Sequence, residues 1–245
     1  MWTNCKVFIV SLISCIALTV QAVEVIPHLT AKSWLVADAD GKIIDGSNTK
    51  EVRSIASITK LMTVMIVLDA KQNLEQSVNQ YTREQLIDLA LVRSNNQAAE
   101  ALCEAYPTGK HGCIRAMNAK ARELGLSHTT FVEPTGLSIW NVSTAEDLVL
   151  MVKAASTYPE IVAASQISEV KIKIRKKWLV FQNTNPIIGK KHKFIVSKTG
   201  YINASGGCIV MMLDTDIGHR TVVVLGSKNT KTRIPEAEFI FENVK

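Results

Sequence analysis

"SIASITKLMTVMIVLDA", residues Ser54–Ala70, holds a serine, two residues, a lysine and then an almost unbroken apolar run. Its composition predicts a helix that is apolar on most sides from Ser57 to Ala70. Such a helix must be buried between other layers of the fold, because no face of it suits water. Ser57 and Lys60 stand three apart and so stack on one helical face, with the lysine amine in reach of the hydroxyl. Two readings fit. A lysine in a partly apolar site loses its proton easily and can activate the serine as a nucleophile, with the helix N-terminus favouring the oxyanion. Alternatively, Ser57 caps the helix while Lys60 extends to water.

Outward from this helix the pattern is strands, helices, strands. "SWLVADADGKIIDGS" (33–47) reads as a strand, an Asp-Gly turn and a second strand. "TREQLIDLALVRSNNQAAEALCEAY" (82–106) reads as two amphipathic helices broken at Ser94-Asn95-Asn96. "GCIRAMNAKARELGL" (112–126) is a further helix stopped by Gly125, and "STAEDLVLMVKAAST" (143–157) opens on a Ser/Thr cap followed by acids. Strand-like runs return at "EVKIKIR", "WLVFQNTN", "KFIVSKTG", "GGCIVMMLDTD" and "RTVVVLGS". The expected fold is α/β (α+β): one antiparallel sheet built from both ends of the chain, flanked by helices, with an all-helical subdomain at roughly 70–160 inserted between its halves. No repeat or linker divides residues 23–245, so a single domain is expected there.

The first residues, "MWTNCKVFIVSLISCIALTVQA", carry one positive charge at Lys6 and then about 14 apolar residues, too few to cross a bilayer. This reads as a signal peptide over 1–22, with cleavage near Ala22 and export to the periplasm. "LISC" ending at Cys15 offers a second reading as a lipoprotein box, disfavoured because mostly apolar residues follow it. No stable membrane span is expected. In an exported chain, Cys103 and Cys113 are a candidate disulfide around the Pro-Thr-Gly turn of "CEAYPTGKHGC"; the alternative is two small buried residues on facing helices. Cys208 reads as core. Metal-ligand spacing is absent, and no cofactor is expected.

The net charge is +6, much of it in "KIKIRKK" (171–177) and "GKKHK" (189–193). The first alternates lysine with isoleucine, which predicts a strand with one wet, positive face. That face is either simply solvated or attracts an anionic polymer. Base-reading signatures are absent, so nucleic acid is not an expected partner.

Ser-x-x-Lys occurs three times and Ser-x-Asn three times, so neither is informative alone. Ser94-x-Asn96 stands out because it interrupts two helices. Lys198-Thr199-Gly200 occurs once, at the end of a strand. Ser57/Lys60 on a buried helix, Ser94/Asn96 at a helix corner and Lys-Thr-Gly on a late strand, in that order, form a far more specific combination. With "IASITKLMT", "AMNAKARELGL", "FVEPTGLS", "NVSTAEDL" and "KTGYINASGGC", the chain from about Leu35 onward resembles the low-molecular-mass penicillin-binding proteins of the β-lactamase/transpeptidase-like fold. Within them it is most similar to the short D-alanyl-D-alanine endopeptidases.

That resemblance implies a serine peptidase acting on peptidoglycan stem peptides, with β-lactams as covalent inhibitors. The expected activity is endopeptidase cleavage of D-Ala–meso-diaminopimelate cross-links, with D-alanyl-D-alanine carboxypeptidase as the alternative and a catalytically weak binding relative as the second. It implies Ser57 as nucleophile, Lys60 as base and Ser94 as relay for the leaving-group proton. Asn96 would hold the substrate amide and orient Lys60, and Lys198 would supply charge. Thr199 and Gly200 would border the substrate, and the N–H groups of Ser57 and Tyr201 would form the oxyanion hole. Arg233, in "GSKNTKTRIPEAEF", would bind the substrate carboxylate. Two departures stand out. Ile202 occupies a place where the family usually has Thr or Ser, and the segment "KQNLEQSVNQYTREQ" (71–85) is short. A class A β-lactamase is disfavoured, since Glu133 is followed four residues on by Leu137 rather than by Asn.

Overall fold

The computed structural model describes residues 29–244; the expected signal peptide and Cys15 lie outside them. The chain opens with β1 (Ser33–Ala37), β2 (Ile43–Ser47) and β3 (Arg53–Ser54), then a 3-10 turn (Ala56–Ile58) running into α1 (Thr59–Asp69). A small hairpin, β4 (Ser77–Val78) and β5 (Tyr81–Thr82), leads to α2 (Arg83–Leu91), α3 (Asn96–Glu104) and α4 (Gly109–Glu123). After β6 (Val142–Ser143) come α5 (Ala145–Ala155), α6 (Pro159–Gln166) and the hairpin β7 (Glu169–Ile174)–β8 (Lys177–Gln182). β9 (Lys193–Ile202), β10 (Gly206–Thr215), β11 (Gly218–Ser227) and α7 (Arg233–Asn243) complete it.

The main sheet has the order β2-β1-β11-β10-β9, with antiparallel pairing throughout. β10 and β11 are buried almost from end to end because both faces of the sheet are covered. Val210, Met212, Val223 and Leu225 face the layer containing α1 and α5, whereas Ile209, Met211, Val222 and Val224 face α7. Strand runs without polar alternation are the sequence form of that arrangement. The α7 layer is locked to the start of the sheet by one carboxylate. Glu236 accepts from Thr30 N (2.7 Å) and Thr30 Oγ1 (2.6 Å), and its other oxygen accepts from Ser227 Oγ.

α1 is the hub, with Thr59 through Val67 all buried, packed by α3, α4 and α5. The helical block is α2–α4. α5 leaves it and packs on β1, β10 and β11, so the helices between 70 and 160 divide between the block and the sheet. Local chemistry sets the helix starts. Thr82 and Gln85 form a reciprocal capping box on α2, and Thr144 Oγ1 accepts from Asp147 N (3.1 Å) at the start of α5. Cys103 and Cys113 are joined as a disulfide, with Cα atoms 5.4 Å apart, tying α3 to α4. Cys208 is a buried free thiol.

The β7–β8 hairpin stands apart from the main sheet. Val170 and Ile172 are buried while Lys171 and Lys173 are exposed, the alternation that "KIKI" predicts.

Candidate active site

The polypeptide at Ser57 is shaped by its neighbours rather than by helix propensity. Ala56 takes φ +46°, a left-handed conformation that costs a residue with a Cβ about 1–2 kcal/mol. The next residue, Ser57, is partly exposed, and α1 follows at Thr59. Two glycines permit this. A Cβ on Gly136 would fall 2.0 Å from Ala56 O, and one on Gly200 would fall 2.9 Å from both Ile55 O and Ser57 N. The loop after Phe131 and strand β9 thus close on the serine from two sides.

Ser57 does not cap α1. The helix has no side-chain cap bond, and Lys60 does not reach water: it is fully buried. Lys60 Nζ lies 2.9 Å from Ser57 Oγ, 2.7 Å from Asn96 Oδ1 and 2.5 Å from Thr135 O. Burial lowers its pKa from 10.5 to about 7, with the charge of Glu133 opposing the shift. An amine that titrates near neutrality, pointed at a hydroxyl, is equipped to take its proton.

Ser94 sits between α2 and α3 at φ +59°, the sharp turn that puts its hydroxyl into the cleft. Asn95 Oδ1 caps α3 by accepting from Ala98 N (2.8 Å), so the side chain of Asn96 is left for Lys60. From the opposite wall, Lys198 Nζ donates to Ser94 Oγ (2.8 Å) and to Thr199 O (3.0 Å). Burial holds Lys198 well below its ordinary pKa, and the charges of Lys60 and Arg233 add to the effect. Arg233 donates from Nη1 to Gly200 O (2.8 Å), while its buried Nε has no partner. Ser57, Ser94, Asn96, Thr199, Gly200, Tyr201 and Arg233 all line one cavity of about 230 Å³. The nine residues singled out from the sequence, Lys60 and Lys198 included, therefore converge on one cleft. Arg233 lines the cavity and no carboxylate does, a setting suited to an anionic substrate group.

Several contributors were not foreseen. Thr184 lines the cavity, and its hydroxyl accepts from that of Thr199 (2.7 Å); Thr230 and Leu137 line it as well. Thr184 comes from "NTN", whose loop is held by Asn185 Nδ2 on Ser197 Oγ (2.9 Å), a tertiary contact without a local sequence signal. Glu133 is an organiser of its own loop. Its carboxylate accepts from Thr135 N (2.6 Å), Gly136 N (2.7 Å) and Asn141 Nδ2 (2.9 Å). Those bonds place the Thr135 carbonyl on Lys60 and leave Glu133 occupied. Among the described residues no cluster of three metal-ligating side chains occurs, and no helix is long and apolar enough to cross a membrane.

A helical block inserted beside an antiparallel sheet, with a serine and two buried lysines meeting at their junction, defines the penicillin-binding class of acyl-transferring serine enzymes. The sequence matches the peptidase S11 model, described as D-alanyl-D-alanine carboxypeptidase, over residues 19–79 and 72–229, and the chain belongs to that family. It is 38% identical over 234 residues to the D-alanyl-D-alanine endopeptidase of Pseudomonas aeruginosa, covering 86% of this chain and 76% of that one. Identity to the D-alanyl-D-alanine endopeptidase of Escherichia coli is 38% over 209 residues, 76% of this chain and 67% of the relative. Penicillin-binding protein D2 of Listeria monocytogenes, in a cefotaxime-bound crystal structure, superposes with a TM-score of 0.78 at 26% identity, over 88% of this chain and 97% of that one.

Proposed function

We propose that this protein is an exported endopeptidase that hydrolyses D-Ala–meso-diaminopimelate cross-links of peptidoglycan in the periplasm, through an acyl-enzyme on Ser57. The observation that carries the reading is the neutral-range amine of Lys60, 2.9 Å from Ser57 Oγ. Ser57 Oγ attacks the D-alanyl carbonyl as its proton passes to Lys60. The N–H groups of Ser57 and Tyr201 face the developing oxyanion. Collapse expels the amine, which takes a proton from Ser94 Oγ as Ser94 takes back the one held by Lys60; Lys60 is neutral again, and Lys198 beside Ser94 steadies the charge that develops there. Water, deprotonated by Lys60, then attacks the ester and releases the D-alanyl acid, so Ser57 is regenerated and the net reaction is hydrolysis. Arg233 pairs with the carboxylate next to the departing amine. The cross-linking D centre of diaminopimelate carries that carboxylate, as terminal D-alanine does, so the same residues support carboxypeptidase cleavage of pentapeptide stems as the second reading.

The two 38%-identical relatives named endopeptidases favour the first activity. A signal peptide over 1–22, cleaved near Ala22, fits export. β-Lactams are expected to acylate Ser57 because they present a strained amide and a carboxylate in the same arrangement. The intact mass should rise by one penicilloyl group in the unaltered protein and stay unchanged in Ser57→Ala; no adduct in the unaltered protein would refute the acyl-enzyme. A mixture of muropeptide dimers and pentapeptide monomers, followed by mass spectrometry, then separates the activities. Dimers converted faster than pentapeptides are trimmed supports the endopeptidase, and the reverse order supports the carboxypeptidase.

A further inference from the structure

The β7–β8 hairpin takes no part in the chemistry above, yet most of its charge is not neutralised by any carboxylate among the described residues. Its inner face is anchored: Val170 and Ile172 are buried in the main core, with Ile174 and Phe181 packed against it. Its outer face and tip are not. Lys171 pairs with Glu169, but Lys173, Arg175, Lys176 and Lys177 have no carboxylate partner among the described residues. Beside them Trp178 is 64% exposed and Val180 51%, and Lys173 Nζ stands 5.9 Å from the centre of the Trp178 ring. Lys173 and Trp178 are cross-strand partners, so the cation and the ring share the outward face.

A basic strand face alone is ordinary solvated surface; its position here makes it more. The catalytic cavity meets a second one, of about 620 Å³ along α3, at Asn96 and Leu137. That cavity in turn meets a third, of about 670 Å³, at Gln80. The third is walled by Ile174, Arg175, Lys176, Lys177 and Leu179, the hairpin tip itself. Three neighbouring cavities thus lie in series, sharing wall residues, from Ser57 past α3 and the β4–β5 turn to the cationic hairpin tip, with Trp178 on the outer face of the same hairpin.

We propose that the hairpin tip is a docking site for the polymer of the substrate: the carboxylate-bearing stem peptides and sugar chain of peptidoglycan at a distance from the bond being cut. This rests on the peptidase reading above. Four unpaired cations complement the repeated free carboxylates of an uncut wall, and an exposed indole offers a flat apolar face to a sugar ring. No hairpin residue lines the cavity that holds Ser57, so the site is expected to act on insoluble wall rather than on a short soluble peptide.

The test uses the mature protein carrying Lys173→Glu, Lys176→Glu and Lys177→Glu together, and separately Trp178→Ser. Co-sedimentation with purified wall sacculi is measured in a Ser57→Ala background, and turnover of sacculi in the active one. The charge-reversed tip should reduce both by about tenfold or more at low salt, with the unaltered protein losing the same advantage as salt rises. Trp178→Ser should weaken sacculus binding at all salt concentrations. Hydrolysis of a short acyl-D-Ala-D-Ala peptide and penicillin acylation should stay within about twofold, as expected of exposed sites remote from the chemistry. Unchanged sacculus binding in both variants overturns the proposal. So does an equal loss on short peptide and sacculi, which would mean that the tip acts on the catalytic centre, and so does preferential binding of the unaltered tip to anionic phospholipid vesicles. Failure of the unaltered protein to be acylated by penicillin is a separate result, and it refutes the peptidase reading instead.

Discussion

The cleft and the β7–β8 hairpin use the same residue to opposite ends. Lys60 and Lys198 are enclosed between α1, α3 and β9, each with its amine committed to named oxygens. Lys173, Lys176 and Lys177 are exposed, with no carboxylate partner among the described residues. Burial removes the solvation that makes lysine a cation, so both enclosed amines give up a proton more readily, and the proposed mechanism uses Lys60 as its proton carrier. Exposure preserves the charge and gives up control of the proton. A lysine can be a base or a fixed charge, and what encloses it decides which.

The contrast is broken most severely at Lys60. Lys60→Met should slow penicillin acylation by about 10³-fold, the scale of a lost general base, with the protein still folded by circular dichroism. Gly200→Ala comes next. Its Cβ would press on Ile55 O and Ser57 N at 2.9 Å, and displacing the nucleophile should cost about 10²-fold in acylation rate. The disulfide tests the frame. Replacing Cys103 and Cys113 by serine should lower unfolding free energy by about 2–4 kcal/mol in denaturant titration.

A pH series sharpens the same comparison. Neutral Lys60 is the active form, so acylation should rise with pH and reach half its maximum near the Lys60 pKa of about 7. Stability carries the matching sign. Between pH 7 and 10.5 the unfolded chain holds a proton on Lys60 that the folded chain lacks, so stability should climb with pH across that window. Lys60→Met should flatten the climb, leaving the part due to Lys198. The smallest effect belongs to the hairpin: Lys177→Gln should change short-peptide hydrolysis by less than about twofold and leave the pH profile in place.

The sequence disclosed those parts whose cause is local. The Thr144 cap of α5 and the wet face of β7 follow from spacing within each segment. The order of Ser57/Lys60, Ser94/Asn96 and Lys198-Thr199-Gly200 pointed to residues that the fold brings together around one cleft. What stayed hidden depends on contacts between distant segments. Nothing near Ala56 announces a left-handed backbone, because the partners that impose it are Gly136 and Gly200. Thr184 matters only because Asn185 reaches Ser197, and Glu133 only because its loop folds back on it. Division of the helices between block and sheet was likewise not readable from their amphipathic patterns, which show that a helix has an apolar face and not what covers it.

The strand order carries a consequence in time. β11, synthesised long after β1, lies at the centre of the sheet, between β1 and β10. Arg233 and the Glu236 clasp on Thr30 come later still. The early strands have no completed sheet to join until the closing segments emerge, and such long-range pairing is slow to form. Ser57 and Lys60 are made early but are not walled in until β9 arrives and Lys198 meets Ser94. A partly synthesised chain therefore holds no working cleft, which is complete only once β9–β11 and α7 have formed and docked.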